Sequence, residues 1–392
     1  MPSQVKLTIM VLLLNLVMCI ATGCWNNQDL SETSIAAAMG LDKAEDNKIE
    51  LTVQLVNPSA LKSAQKGGGS GNKAALTLSK TGDTVFEANR NLLSTASNKI
   101  LHNHIQIIVI GETLARDGLT QILDFLERGN QTNRKADILI AKGTTARKIL
   151  NLQSELETIP AINLADTIDN EDSIGKIKKI MFTDLMKELA TPGKDAAIGG
   201  VEIMNDKEQP FIKDIRIEGA AAFKKDKLAF WLNPVQTRGL LFMKDKISSA
   251  VINVANPLDR RTKVAIEVIS SKAKTSVELK DGSPVFNIEI NEQGDIVEQQ
   301  GGGDLSSPEV VEKLKKETER AIADEVKNSI ELALDNQCDL MGFGDILHKK
   351  HPQYWNKVKE NWDEELSRVQ FNIKVSSNIG RAGLVKTSVL PK

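Results

Sequence analysis

The chain predicts an α+β fold in more than one domain, set behind an export signal. Three features carry this. At 392 residues the chain exceeds what one hydrophobic core ordinarily holds, so two or three domains are expected. From residue 35 onward, short β-rich runs alternate with helix-patterned ones, and residues 308–334 carry one long amphipathic stripe. The first 24 residues run from a basic start through an apolar stretch and small residues to a cysteine. Hydrophobic content of 41% and charged content of 26% are those of an ordinary globular protein, and a net charge of -2 gives no reason to expect a nucleic-acid partner.

Lys6 supplies the positive charge, and residues 7–20 are apolar except for Thr8 and Asn15. A helix of about 15 residues, at about 1.5 Å per residue, is short for a ~30 Å hydrocarbon core. An export signal fits better than a membrane span. Ala21-Thr22-Gly23-Cys24 resembles a bacterial lipobox, with Ala21 where Leu is usual. Residues 1–23 then form the signal peptide, and Cys24 is the lipidation site. A plain secretory peptide with an incidental cysteine is the alternative. Two acyl chains on Cys24 hold firmly where one holds marginally. Trp25 follows, suited to a membrane interface. Cys19 leaves with the signal, so Cys338 has no disulfide partner and is expected as a small buried apolar residue. No second long apolar run suggests a membrane span.

Residues 35–41 and 49–56 read as a β-hairpin around the polar stretch 42–48, and Pro58 closes it. The run Gly67-Gly68-Gly69-Ser70-Gly71 is a loop; it lacks the Lys-Ser/Thr that a phosphate loop requires. Residues 75–79 form a strand. Asp83 or Thr84 caps a helix reaching about Ala96, with Val85, Ala88, Leu92 and Leu93 at helical spacing. The unbroken apolar run 105–110 predicts a buried strand, 112–126 an amphipathic helix, 136–141 another strand, and Thr144 the cap of a short helix to Leu150. This alternation predicts an α/β module over 24–150. Residues 151–194 are helical and strand-poor, broken at Pro160 and Pro192. Strands follow at 200–204, 215–223, 227–232 and 247–254, with a helix from Pro234 to Met243; 151–256 is taken as a middle module. Residues 257–392 form the third module. Alternating runs at 263–270, 275–280 and 285–291 predict a half-exposed antiparallel sheet. Ser307 and Pro308 open the long helix, whose stripe is Val311, Leu314, Thr318, Ile322, Val326, Ile330 and Leu334. Shorter helices are expected at 343–349 and 352–362, and a last strand at 369–375.

No catalytic constellation stands out. His348 and His351, and likewise His102 and His104, lack a third ligand at metal spacing, so no metal and no cofactor is expected. There is no Gly-x-Ser-x-Gly, phosphate loop or dinucleotide fingerprint. Trp231 and Arg238 are the candidate partner contacts, arginine being enriched at interfaces. The competing reading of that segment is a strand-to-helix turn capped by Asn233 with Pro234 at the first helical position.

Several segments carry a resemblance: Gly23-Cys24-Trp25-Asn26-Asn27-Gln28-Asp29-Leu30; Gly40-Leu41-Asp42 with residues 51–58; residues 82–93; residues 104–112; Ala115 to Leu119; Asp124-Phe125-Leu126; and Ala141-Lys142-Gly143. Residues 221–241, AAFKKDKLAFWLNPVQTRGLL, and the stretch from Gly342-Phe343-Gly344 to Trp362-Asp363 complete it. Together they resemble the Ger(x)C family, the C-subunits of spore germinant receptors. The resemblance implies about three α+β domains, each a sheet flanked by helices. It implies a lipoprotein on the outer leaflet of the spore inner membrane, acting with an integral A-subunit and a permease-like B-subunit. It implies an indirect response to amino acids or sugars, and no enzymatic activity. A lipoprotein that binds the small nutrient directly is the other reading carried forward.

Overall fold

The computed structural model describes residues 33–56, 75–96, 98–129, 132–152, 159–205 and 213–380, with residues 4, 5, 7, 8 and 10. Cys24, Trp25 and the glycine run at 67–71 lie outside them. Among the described residues two sheets organise the chain.

The first sheet is built from β1 (Thr33–Lys43), β2 (Ile49–Val56), β3 (Ala75–Gly82), β4 (Lys99–Leu101), β5 (Ile107–Gly111), β6 (Asp137–Ala141), β7 (Ala197–Asn205), β8 (Lys213–Lys224) and β9 (Lys227–Leu232). Its order is β3-β2-β1-β5-β6-β7-β8-β9, with β4 beside the start of β1. The centre, β1-β5-β6-β7, is parallel; the flanks are antiparallel hairpins. The parallel strands are continuous apolar runs because both faces are covered. One face takes α1 (Val85–Leu93), α2 (Glu112–Asp117), α3 (Thr120–Arg128) and α7 (Phe182–Ala190). The other takes α4 (Ala146–Leu150) and α5 (Pro160–Asp169), which the short α6 (Glu171–Ile174) follows.

The second sheet has the order β10 (Ala250–Ala255), β11 (Lys263–Lys280), β12 (Ser283–Gln299), β13 (Gln370–Ile379). Buried and exposed residues alternate along β10 and the first part of β11, so only one face is packed. That face receives α9 (Pro308–Asp335), α8 (Pro234–Met243) and α10 (Phe343–Lys350). The expected α9 stripe is inward, with Leu314, Thr318, Ile322, Val326 and Ile330 buried and Val311 and Leu334 partly so. The chain continues through α11 (Pro352–Val358) and α12 (Trp362–Leu366).

The α+β class with helix-flanked sheets is as expected, but both module boundaries are corrected. The one at 150/151 falls inside the first sheet, where β6 pairs in parallel with β7. Residues 159–190 are the crossover that a parallel pair requires. The one at 256/257 separates β10 from β11, an antiparallel hairpin. Smaller differences have local causes. The helix expected over 112–126 is two helices, because Gly118 takes φ +132, where a side chain is strained. Thr145, not Thr144, caps α4. The separate runs 263–270 and 275–280 are one strand, and β13 joins β12 in parallel. The short β4 carries too few residues to show a period.

Candidate functional site

Motifs distant in sequence converge at the end of the first sheet where β1, β5 and β6 stop. Asp42, near the end of β1, is almost fully buried. Its carboxylate accepts hydrogen bonds from the Ala146 and Arg147 amides at 2.8 and 2.9 Å, capping α4 from across the sheet. Burial pushes its carboxyl above the usual range, against those two amides. Gly111 passes so close that a Cβ there would lie 2.1 Å from Asp42 Oδ1, which is why only glycine fits.

The next residue, Glu112, gathers three donors: the Gly143 amide at 2.8 Å, Arg116 at 2.6 Å and the Trp231 indole Nε1 at 3.2 Å. Burial pushes this carboxyl up, but the donors outweigh it and hold Glu112 below its ordinary value, ionised. The Lys142 ammonium sits 5.5 Å from the Trp231 ring centroid. Gly200 makes room for the ring from below. Thus Gly40-Leu41-Asp42, Gly111-Glu112, Ala141-Lys142-Gly143 and Trp231 form one cluster. Its carboxylates are engaged by donors, and it presents a half-buried indole beside an exposed ammonium.

Trp231 is half-buried in this cluster, whereas Arg238 is enclosed in the protein. Arg238 is only 6% exposed. Its guanidinium pairs with Glu325 of α9 and donates to the Val251 carbonyl at 2.9 Å. Helix α8 turns this side chain inward because Gly239 lets α8 lie directly against the α9 backbone. The turn reading of the preceding segment holds: Asn233 and Gln236 form a reciprocal cap and Pro234 opens the helix.

A cavity of about 770 Å³ lies between α1 and α3. Ile100, Ile105 and Ile108 contribute an apolar floor; the polar lining includes Asn89, His102, Asp124 and Arg128. Asn89 Oδ1 and His102 Nε2 are shut from solvent without a hydrogen bond among the described residues. Burial lowers the basicity of His102. Among the described residues no group of His, Cys, Asp and Glu is placed to hold a metal ion. His348 packs on Trp355, with centroids 5.8 Å apart. Cys338 is buried, its thiol held near the Phe223 carbonyl at 3.1 Å and pushed upward in pKa by burial.

Comparison with known proteins now decides the family. A model described as spore germination protein N-terminal domain matches residues 26–203, and one described as spore germination B3/GerAC like, C-terminal, matches residues 218–383. The chain belongs to the Ger(x)C family. Ger(x)C relatives from Bacillus subtilis (strain 168) include spore germination protein KC, 26% identical over 97% of each chain. Spore germination protein B3 is 25% identical over 98% of this chain and all of that protein. A crystal structure of the GerBC protein superposes with a TM-score of 0.57 over 90% of this chain and 99% of that one, at 20% identity, which shows the shared fold. The boundary between the two Ger(x)C models falls between β7 and β8, strands of one hairpin in the first sheet.

Sequence reasoning missed Asp42, Glu112 and Glu325. Asp42 and Glu112 have a readable signal: a carboxylate one or two positions after a glycine at the end of an apolar strand, where helix N-termini collect. Glu325 has none, since it lies on the flank of a long charged helix.

Proposed function

We propose that the chain is the lipid-anchored C-subunit of a nutrient germinant receptor, held through Cys24 on the outer leaflet of the spore inner membrane. It acts by contacts with the integral A-subunit and the permease-like B-subunit rather than by catalysis. The observation that carries this reading is the match of two germination-family models across nearly the whole chain after residue 25. The Glu112–Trp231–Lys142 cluster supports it, since it presents an indole and an ammonium at one end of the first sheet for contact with a partner. Spores carrying Cys24→Ala test the anchor: the subunit is expected to leave the membrane fraction and the nutrient response to weaken. Normal fractionation and normal germination would contradict the proposal.

The cavity between α1 and α3 favours a second reading, direct binding of a small nutrient. An apolar floor of isoleucines ringed by polar and charged side chains can hold a small polar molecule. Calorimetric titration with amino acids and sugars separates the two. Tight binding abolished by Phe125→Ala would favour the solute-binding reading.

A further inference from the structure

We propose that the cavity between α1 and α3 seats this chain's own residues 25–32, with the Trp25 indole on the isoleucine floor. These residues lie outside the described ones, and what points to them is where the chain resumes. Thr33, the first residue of β1, pairs with Lys99 of β4, and Lys99 and Ile100 line the cavity. The chain therefore enters β1 beside the cavity. Residues 25–32 reach at most about 28 Å. Helix α1, which forms one wall, has nine residues and is about 13 Å long. The segment can thus cross the cavity from end to end. Covalently linked at so short a range, it is presented at an effective concentration on the order of millimolar. A second copy of the chain has no such advantage.

Wall and segment also complement each other chemically. Phe86 and Leu93 of α1 line the cavity yet are 55% and 39% exposed, apolar surface that Trp25 and Leu30 would cover. Two exposed cations stand in the wall, Arg90, which lies 5.0 Å from the Phe86 ring centroid, and Lys99; neither forms an ion pair among the described residues. The segment carries two acids, Asp29 and Glu32. Asn89 Oδ1 and His102 Nε2 lack a donor among the described residues. Burial favours the neutral His102 ring, and a bond from that ring to the Ile100 carbonyl leaves Nε2 as an acceptor. An indole N–H donates and cannot accept, and the amides of Asn26, Asn27 and Gln28 are further donors. Seated so, Trp25 is taken up by protein, and the face of the first sheet that carries α1 and α3 turns toward Cys24. Only the bearing of that orientation on a membrane rests on the proposed anchor.

The mature chain from residue 24, carrying Cys24→Ala so that no acyl chain is present, is probed in solution by acrylamide quenching of its fluorescence. The share of Trp25 is the difference between this chain and its Trp25→Phe variant. Trp25 is expected to be shielded from the quencher. Arg90→Glu/Lys99→Glu is expected to shift it about tenfold toward exposure, and adding Asp29→Lys/Glu32→Lys to restore the shielding, a rescue that an unfolded variant could not show. A fully accessible Trp25 in the unaltered chain would overturn the proposal. Shielding that the charge reversals leave untouched would place the indole elsewhere and overturn it too. Shielding that falls on dilution would replace the chain's own segment with that of a second copy. Acylation of Cys24 does not enter these measurements, so failure of the anchor is read separately, from the mass of the mature amino terminus.

Discussion

Asp42, Glu292 and Arg238 show how much a single buried charge can decide. Asp42 satisfies two amides at the start of α4. Asp42→Ala is expected to cost about 1–2 kcal/mol in urea unfolding, with Asp42→Asn recovering part. Glu292 has one oxygen bonded to the Ser377 hydroxyl at 2.6 Å and the other without a partner among the described residues. Burial, and then Glu319 nearby, raise its pKa from 4.5 to about 6. The folded state thus holds this proton more tightly than the unfolded one. The stability it contributes is complete below pH 4.5 and is lost as pH rises through 6. Glu292→Gln is expected to gain about 2 kcal/mol relative to the wild type at pH 8 and nothing at pH 4, read from denaturation midpoints across that range. A wild-type curve parallel to that of the variant would refute the assignment. Arg238 makes a different case, because its partner is also buried. Arg238→Ala is expected to destabilise by about 3–5 kcal/mol by stranding Glu325, whereas Arg238→Met/Glu325→Leu should come close to the wild type. Arg238 reads as a surface candidate because arginine is enriched at interfaces; nothing local announces that Glu325, so far along the chain, lies beside it.

At the scale of elements, glycines mark where two backbones touch. Gly344, in the first turn of α10, lies against Gly193, so that a Cβ on Gly344 would fall 2.6 Å from the Gly193 Cα. Gly344→Ala is expected to cost about 1–3 kcal/mol through that clash, measured by denaturant unfolding. An unchanged midpoint would show that the contact relaxes freely. The Gly342-Phe343-Gly344 motif forms a tight turn with an aromatic plug. Gly342 takes φ +77 and Phe343 stacks on Phe286, with ring centroids 4.2 Å apart. What the motif did not reveal is that Asp339, upstream of it, accepts from the Gly342, Phe343 and Gly344 amides and from the Trp362 indole. Helix α9 was legible from its stripe, since a core-facing helix must repeat apolar residues every three or four positions. The break at Gly118 was not, because the apolar period runs through it.

On the scale of the whole molecule, the two sheets share a core rather than a linker. Ala197, Ala220, Ala222 and Leu232 of the first sheet lie in the same apolar cluster as the second sheet, with α8 between them. Lys224 joins Asp195 and Asp363 across the same junction at 3.3 and 2.6 Å. Unfolding is therefore expected to be one transition, with calorimetric and van't Hoff enthalpies in agreement. Two separated steps would show that the junction does not couple the sheets. The sequence by itself determined the element types, the capped turn at Asn233 and the family, because periodicity, caps and long motifs are local properties of the chain. Only the tertiary structure decided which strands pair, which charges are buried and where motifs meet. Strand pairing across a helical crossover, and ion pairs such as Arg238–Glu325, depend on residues that only folding brings within reach of one another.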